Sequence, residues 1–197
     1  MAAQVYLVTP ADADESFPPR LDAALAAASV AAVLVRRGAD ASNYEALARQ
    51  MVSIGQRHGA AVLVEGEPEL ARRVGADGLH VASIKALKPA MAVLKPDLIV
   101  GIGPLSTRHD AMLAGEQEVD YLLFGAPEAE LTPEDREFAQ WWAETFEIPA
   151  VLCDPLADPG TADPGNCEFI GLSASVWQAG DDAPSRLAAI AARVGVE

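Results

Sequence analysis

The chain has 197 residues, and 51% of them are apolar, which suits a folded unit with a sizeable core and argues against disorder. It carries 29 Asp and Glu against 14 Lys and Arg, a net charge of −15 spread along the chain rather than gathered in a tail. A surface this acidic repels phosphate backbones and anionic lipid, so neither a nucleic-acid nor a membrane partner is expected.

The first residues, Met1-Ala2-Ala3-Gln4, carry no basic region and run straight into an apolar segment at residues 5–8. No apolar stretch reaches bilayer length, so the sequence reads as cytoplasmic. Further short β-rich runs follow at residues 32–35, 61–64, 78–81, 98–102, 121–124, 150–152 and 169–172. Such near-continuous apolar strands are what a parallel sheet covered on both faces requires. Helical patterns lie between them. Ser42 with Glu45 reads as a capping box opening a helix through His58, and Thr107 with Asp110 reads as a weaker one. Thr132-Pro133-Glu134-Asp135 supplies a cap, a proline at the first helical position and acids at the positive helix end. Residues 154–166, rich in Pro, Gly and Asp, read as a loop or single turn where a seventh helix is due. An Ala-rich helix closes the chain over residues 187–194.

Eight strands at roughly 25 residues per unit is the short limit for a closed (β/α)₈ TIM barrel, which is the expected fold. The glycine patterns of dinucleotide-binding and P-loop folds are absent. No shift in composition divides the chain, so residues 1–197 are expected to form one barrel domain.

In such barrels chemistry sits at the carboxyl ends of the strands. That criterion selects Thr9, Arg36, Glu65, His80, Ser83, Gly101, Gly103, Gly125, Cys153, Asp154, Gly171, Ser173 and Ser175. Arg36 ends a buried strand, so it either binds an anion in the mouth or pairs with a carboxylate such as Glu65. Arg37 points the other way by strand alternation. His80 is either an acid–base or phosphate-binding group or a hydrogen-bonded lining residue. Gly171, Ser173 and Ser175 end the last strand and offer a phosphate seat, against the plainer reading of a capped turn. Gly101 and Gly103 either bring backbone close to a ligand or only form a tight exit from the fifth strand. Cys153 and Cys167 match no metal spacing, and Cys153 reads as a core thiol rather than a nucleophile. Of Trp141 and Trp142, one is expected to pack on the barrel and the other to mark an interface, which admits a homo-oligomer without requiring one.

The order of motifs resembles the thiamine phosphate synthase and thiazole tautomerase family. Leu7-Val8-Thr9 is similar to its opening strand, and Val33 to Arg36 to its second. Asp77-Gly78-Leu79-His80-Val81 resembles its fourth, and Asp120-Tyr121-Leu122-Leu123-Phe124-Gly125 its sixth. Ile148-Pro149-Ala150-Val151 is similar to its seventh, and Gly171-Leu172-Ser173-Ala174 to its eighth. The resemblance implies the barrel, and a reaction in which a pyrimidine pyrophosphate loses pyrophosphate with magnesium assistance and is captured by a thiazole phosphate.

The family's residues transfer only in part. Its second-strand Q-x-R-x-K falls on Leu34, Arg36 and Gly38, so only the arginine matches. Its third-strand N-D falls on Glu65 and Gly66, and its second magnesium aspartate on Lys85. The fifth-strand serine falls on Gly103 and the tautomerase histidine on Leu105. The sixth-strand loop, where two threonines and a lysine would meet pyrophosphate, carries Glu128 and Glu130, and the seventh-strand G-G is Asp154-Pro155. The resemblance therefore implies no magnesium site and no other cofactor. The expectation is a divergent paralogue binding a small phosphorylated or anionic metabolite without the parent chemistry. The alternative is a working synthase with an atypical site using Arg36, Glu65, His80 and Lys85.

Overall fold

The structure, a computed structural model, describes residues 2–39 and 42–195. Eight strands form a closed parallel barrel in sequence order. They are β1 (Gln4–Val8), β2 (Ala32–Val35), β3 (Ala61–Glu65), β4 (Gly78–Val81), β5 (Ile99–Ile102), β6 (Tyr121–Phe124), β7 (Ala150–Cys153) and β8 (Phe169–Leu172). The helices are α1 (Phe17–Ala27), α2 (Tyr44–Arg57), α3 (Pro68–Val74), α4 (Ile84–Leu94), α5 (Arg108–Gly115), α6 (Pro133–Thr145), α7 (Ala174–Trp177) and α8 (Ala183–Val194). The ring closes where β8 pairs with β1, Val5 opposite Ile170 and Leu7 opposite Leu172.

Strand alternation sorts the apolar side chains into two cores. One lies inside the barrel and contains Tyr6, Val8, Leu34, Leu63, Tyr121, Leu123, Val151 and Cys153, with no helical residue. The other lies between barrel and helices, where Leu7, Val33, Val35, Val62, Val64, Leu79 and Phe124 meet the helix faces. The α2 helix shows why it sits there. Tyr44, Leu47, Ala48, Met51, Val52 and Gly55 are its buried residues, spaced three and four apart on one stripe.

The acids that open the two family-like motifs are at the amino end of the barrel, opposite the mouth. Asp77, just before β4, accepts the backbone N–H of Val62 at 2.7 Å. Asp120, just before β6, accepts that of Val100 at 2.6 Å, and Glu168, just before β8, that of Ala150 at 2.8 Å. Each carboxylate ties an even strand to the odd one preceding it and satisfies a donor that the short ladders leave over. These acids hold register and take no part in a site at the mouth.

The Thr132–Asp135 capping box forms as expected, and Thr107 caps α5. At α2 the expectation is corrected: the N-cap position is Asn43 rather than Ser42, and the helix starts at Tyr44. No helix lies between β7 and β8. Residues 154–168 run as turns, stitched to the flanking helices by side chains that reach backbone carbonyls. Arg136 donates to Asp163 at 2.7 Å, Gln140 to Pro164 at 3.1 Å and Arg193 to Ala162 at 2.7 Å. Among the described residues no helix is long and apolar enough to cross a membrane.

Candidate functional site at the carboxyl mouth

Arg36 leaves the end of β2 and turns over the mouth. Its Nε lies 2.8 Å from Oε1 of Glu65 on β3, and its Nη2 pairs with Glu128 from the loop after β6. The Nε–H is not aligned for a hydrogen bond, so the contact with Glu65 is a charge contact. Burial pulls the guanidinium pKa down, and the two carboxylates outweigh it and raise it, so the cation is permanent. Of the two readings open from the sequence, internal pairing is the one this structure adopts.

Two neighbours fix the arginine's position. The Thr9 hydroxyl accepts the Arg36 backbone N–H at 3.0 Å. The Tyr44 hydroxyl donates to the Val35 carbonyl at 2.8 Å and accepts the Glu65 N–H at 3.0 Å, joining the ends of β2 and β3. Burial raises the Tyr44 pKa, which keeps that hydroxyl protonated. Arg37 turns away, its guanidinium 3.5 Å from Glu67. The Tyr44 staple had no sequence signal beyond an aromatic at a helix start.

His80 is inside the barrel, 5% exposed, and every polar atom it has is used. Its Nε2 is 3.0 Å from the Gly103 carbonyl, which can only accept, so Nε2 carries the proton. Its Nδ1 therefore accepts from the Tyr121 hydroxyl at 2.8 Å, and Tyr121 accepts from Tyr6 at 2.7 Å. Burial lowers the His80 pKa to about 4, and nearby Arg36 pushes the same way. A neutral imidazole with both nitrogens engaged fits the hydrogen-bonded lining role. Tyr121 lies across Gly101, where a Cβ would overlap its ring, so a glycine facing an aromatic on the next strand was the available signal for this column.

The remaining candidates separate. The Ser173 hydroxyl donates to the Pro127 carbonyl at 2.9 Å, and the Ser175 N–H is taken by the Pro155 carbonyl at 2.7 Å. The Ser175 hydroxyl is buried without a partner, and Gly171 packs against Cys153. Lys85 stands exposed on the first turn of α4, outside the barrel, with no ion pair among the described residues. Asp154 lies 3.8 Å from Arg136. Cys153 and Cys167 are free thiols, both pushed up to about 12 by burial, which leaves neither reactive. Trp142 is buried against the barrel, and the Arg108 guanidinium covers Trp141 at 4.4 Å.

A cleft of about 820 Å³ opens beside Arg36, between the loops after β1 and β2. Asp12, Asp14, Glu15, Gly38 and Tyr44 line it, so its rim is acidic. His80 and Ser173 do not reach it.

Magnesium does not fit the residues that the resemblance puts at the family's magnesium positions. Gly66 has no ligand and adopts φ +134°, a conformation side chains rarely take. Lys85 is a cation, and among the described residues no group of three His, Cys, Asp or Glu is placed to hold a metal. The lysine position is closed as well: a Cβ at Gly38 would overlap the Ala11 carbonyl oxygen. Single substitutions at Gly38 and Gly66 therefore meet backbone obstacles.

Comparison with known proteins places this barrel. The sequence model of the thiamine monophosphate synthase family matches residues 5–153. A thiamine-phosphate synthase of Erythrobacter litoralis is 32% identical over 91% of this chain and 90% of its own length. Another, from Rhodospirillum centenum, is 35% identical over 88% of this chain and 89% of its own. A thiamine phosphate pyrophosphorylase from Pyrococcus furiosus superposes with a TM-score of 0.79 at 17% identity, covering 98% of this chain and 96% of that one, a likeness of fold. The chain belongs to the thiamine monophosphate synthase family.

Proposed function

We propose that the chain is a thiamine-phosphate synthase-type transferase with an atypical site, joining hydroxymethylpyrimidine pyrophosphate to thiazole phosphate at the carboxyl mouth. The observation that carries this is similarity along nearly the whole length to synthases 32% and 35% identical, which moves the weight toward the alternative drawn from the sequence. Arg36 is the group best placed to meet a phosphate, held at the mouth by Thr9 and the Tyr44 staple. His80 acts by shaping the floor beneath it, not by moving a proton to substrate, because both nitrogens are engaged.

A second reading is favoured by the closed positions at Gly38 and Gly66 and by Glu128 on Arg36: a paralogue that binds a small anionic or phosphorylated metabolite without turning it over. A coupled assay with both substrates decides between them. Loss of at least two transition-state contacts sets the expected turnover at no more than about a thousandth of that of a family member with the full residue set. Product formed slowly and abolished by Arg36→Met supports the transferase. Product no greater than from an unrelated barrel rejects it and leaves the binding reading.

A further inference from the structure

The loop after β6 crosses the mouth instead of bordering it. β6 and β2 stand on opposite sides of the ring, four strands apart, yet Glu128 from this loop reaches Arg36 at the end of β2. On the way, the Pro127 carbonyl accepts the Ser173 hydroxyl at 2.9 Å, beside β8. The far end is fixed by the Thr132–Asp135 capping box, and a turn from Ala126 to Ala129 shapes the crown. The segment is thus a strap anchored at both ends and tied to the two strands that flank β1.

The two carboxylates on Arg36 are not equivalent. Glu65 sits at the end of β3, is 23% exposed and also accepts the Arg37 N–H at 2.7 Å. Glu128 is 57% exposed and takes Nη2, the guanidinium atom left open by Glu65. A carboxylate and a phosphate oxygen present the same charge-assisted acceptor to a guanidinium. With both carboxylates in place, two negative charges face one positive charge, and an incoming anion is repelled.

We propose that Glu128 is an internal competitor for the anion that Arg36 is placed to bind, and that the β6–α6 strap releases Arg36 before an anionic ligand seats. The inference rests on the reading that the mouth takes a phosphorylated ligand, and it concerns binding, independent of turnover. Glu128 is more than half exposed, so water replaces Arg36 as its partner at little cost, and the strap is a gate and not a permanent seal.

Titration calorimetry with inorganic pyrophosphate at low salt tests it on the full chain. Glu128→Gln is expected to bind about tenfold tighter than the native protein, the effect of removing one nearby like charge. Glu130→Gln, an exposed loop acid making no ion pair among the described residues, is expected to match the native protein. The gain is expected to vanish in Glu128→Gln with Arg36→Met. Equal effects at both glutamates would reduce the matter to net charge and overturn the proposal, as would a gain that survives loss of Arg36, or no binding by Glu128→Gln. Amide exchange supplies a readout on the native protein: residues 126–131 should exchange faster at saturating pyrophosphate. Unchanged or slower exchange would count against the strap. Since neither measurement uses turnover, an inactive transferase would leave both results interpretable.

Discussion

The barrel interior and the barrel mouth handle polar groups by opposite means. Inside, Tyr6, Tyr121 and His80 form a neutral column in which every donor finds an acceptor, ending on the Gly103 carbonyl. At the mouth, Arg36 is held by full charges, one of them on a loop more than half exposed. A neutral column sealed from water is costly to break, because each orphaned group loses its partner without regaining water. A charged cluster beside solvent is cheap to rearrange, because water and ions replace what leaves. The interior column and the mouth cluster of this barrel are thus held by different physics.

The largest effect should come from cutting the column. Tyr121→Phe removes one hydroxyl and orphans two buried groups, the Tyr6 hydroxyl and the His80 Nδ1. At about 1–3 kcal/mol each the loss should be roughly 4 kcal/mol in urea unfolding. A loss under about 1 kcal/mol would show that the column does not form as described.

A next, somewhat smaller effect is a dependence on pH. Below pH 6.5 the unfolded chain's histidine takes a proton that the folded His80 refuses until about pH 4. Stability from this group is therefore full above pH 6.5 and falls as pH drops toward 4, by roughly 3 kcal/mol. His80→Gln keeps a donor for Gly103 and an acceptor for Tyr121 but cannot titrate. Its stability should fall less than the native protein's across that window, and parallel curves would refute a buried neutral imidazole.

The smallest effect should be at the mouth. Glu128→Gln, which alters anion binding, should change unfolding free energy by less than about 0.5 kcal/mol. A cost near that of Tyr121→Phe would erase the contrast and make the strap part of the fold.

The strands were legible because their signal is local. Residues 32–35, 78–81, 121–124 and 169–172 are bounded in the structure as the apolar runs bound them, and the turn segment after β7 was visible as Pro, Gly and Asp. The site was legible as a list of mouth residues, since position at a strand end follows from the fold. Its connections were not. Whether Arg36 meets a ligand or Glu65 depends on the β2–β3 register and the Tyr44 staple, and the Glu128 contact spans the diameter of the barrel. Glu128 read in the sequence as a loop acid where the family has pyrophosphate-binding residues, and its partner was fixed only by tertiary placement. Lys85 entered as a candidate only through the family alignment, and its place on the exposed first turn of α4 follows from where the helix starts.

The matched family segment ends at residue 153, with β7, and β8 lies beyond it. That strand supplies partners to both β7 and β1. Until residues 169–172 leave the ribosome, the first seven strands have two unpaired parallel edges, each a template for any other extended chain. The nascent protein is therefore expected to be at greatest risk of aggregation late in synthesis, when seven strands are made and the ring is still open. The last short strand, β8, is the one that closes both edges and makes the molecule safe to release.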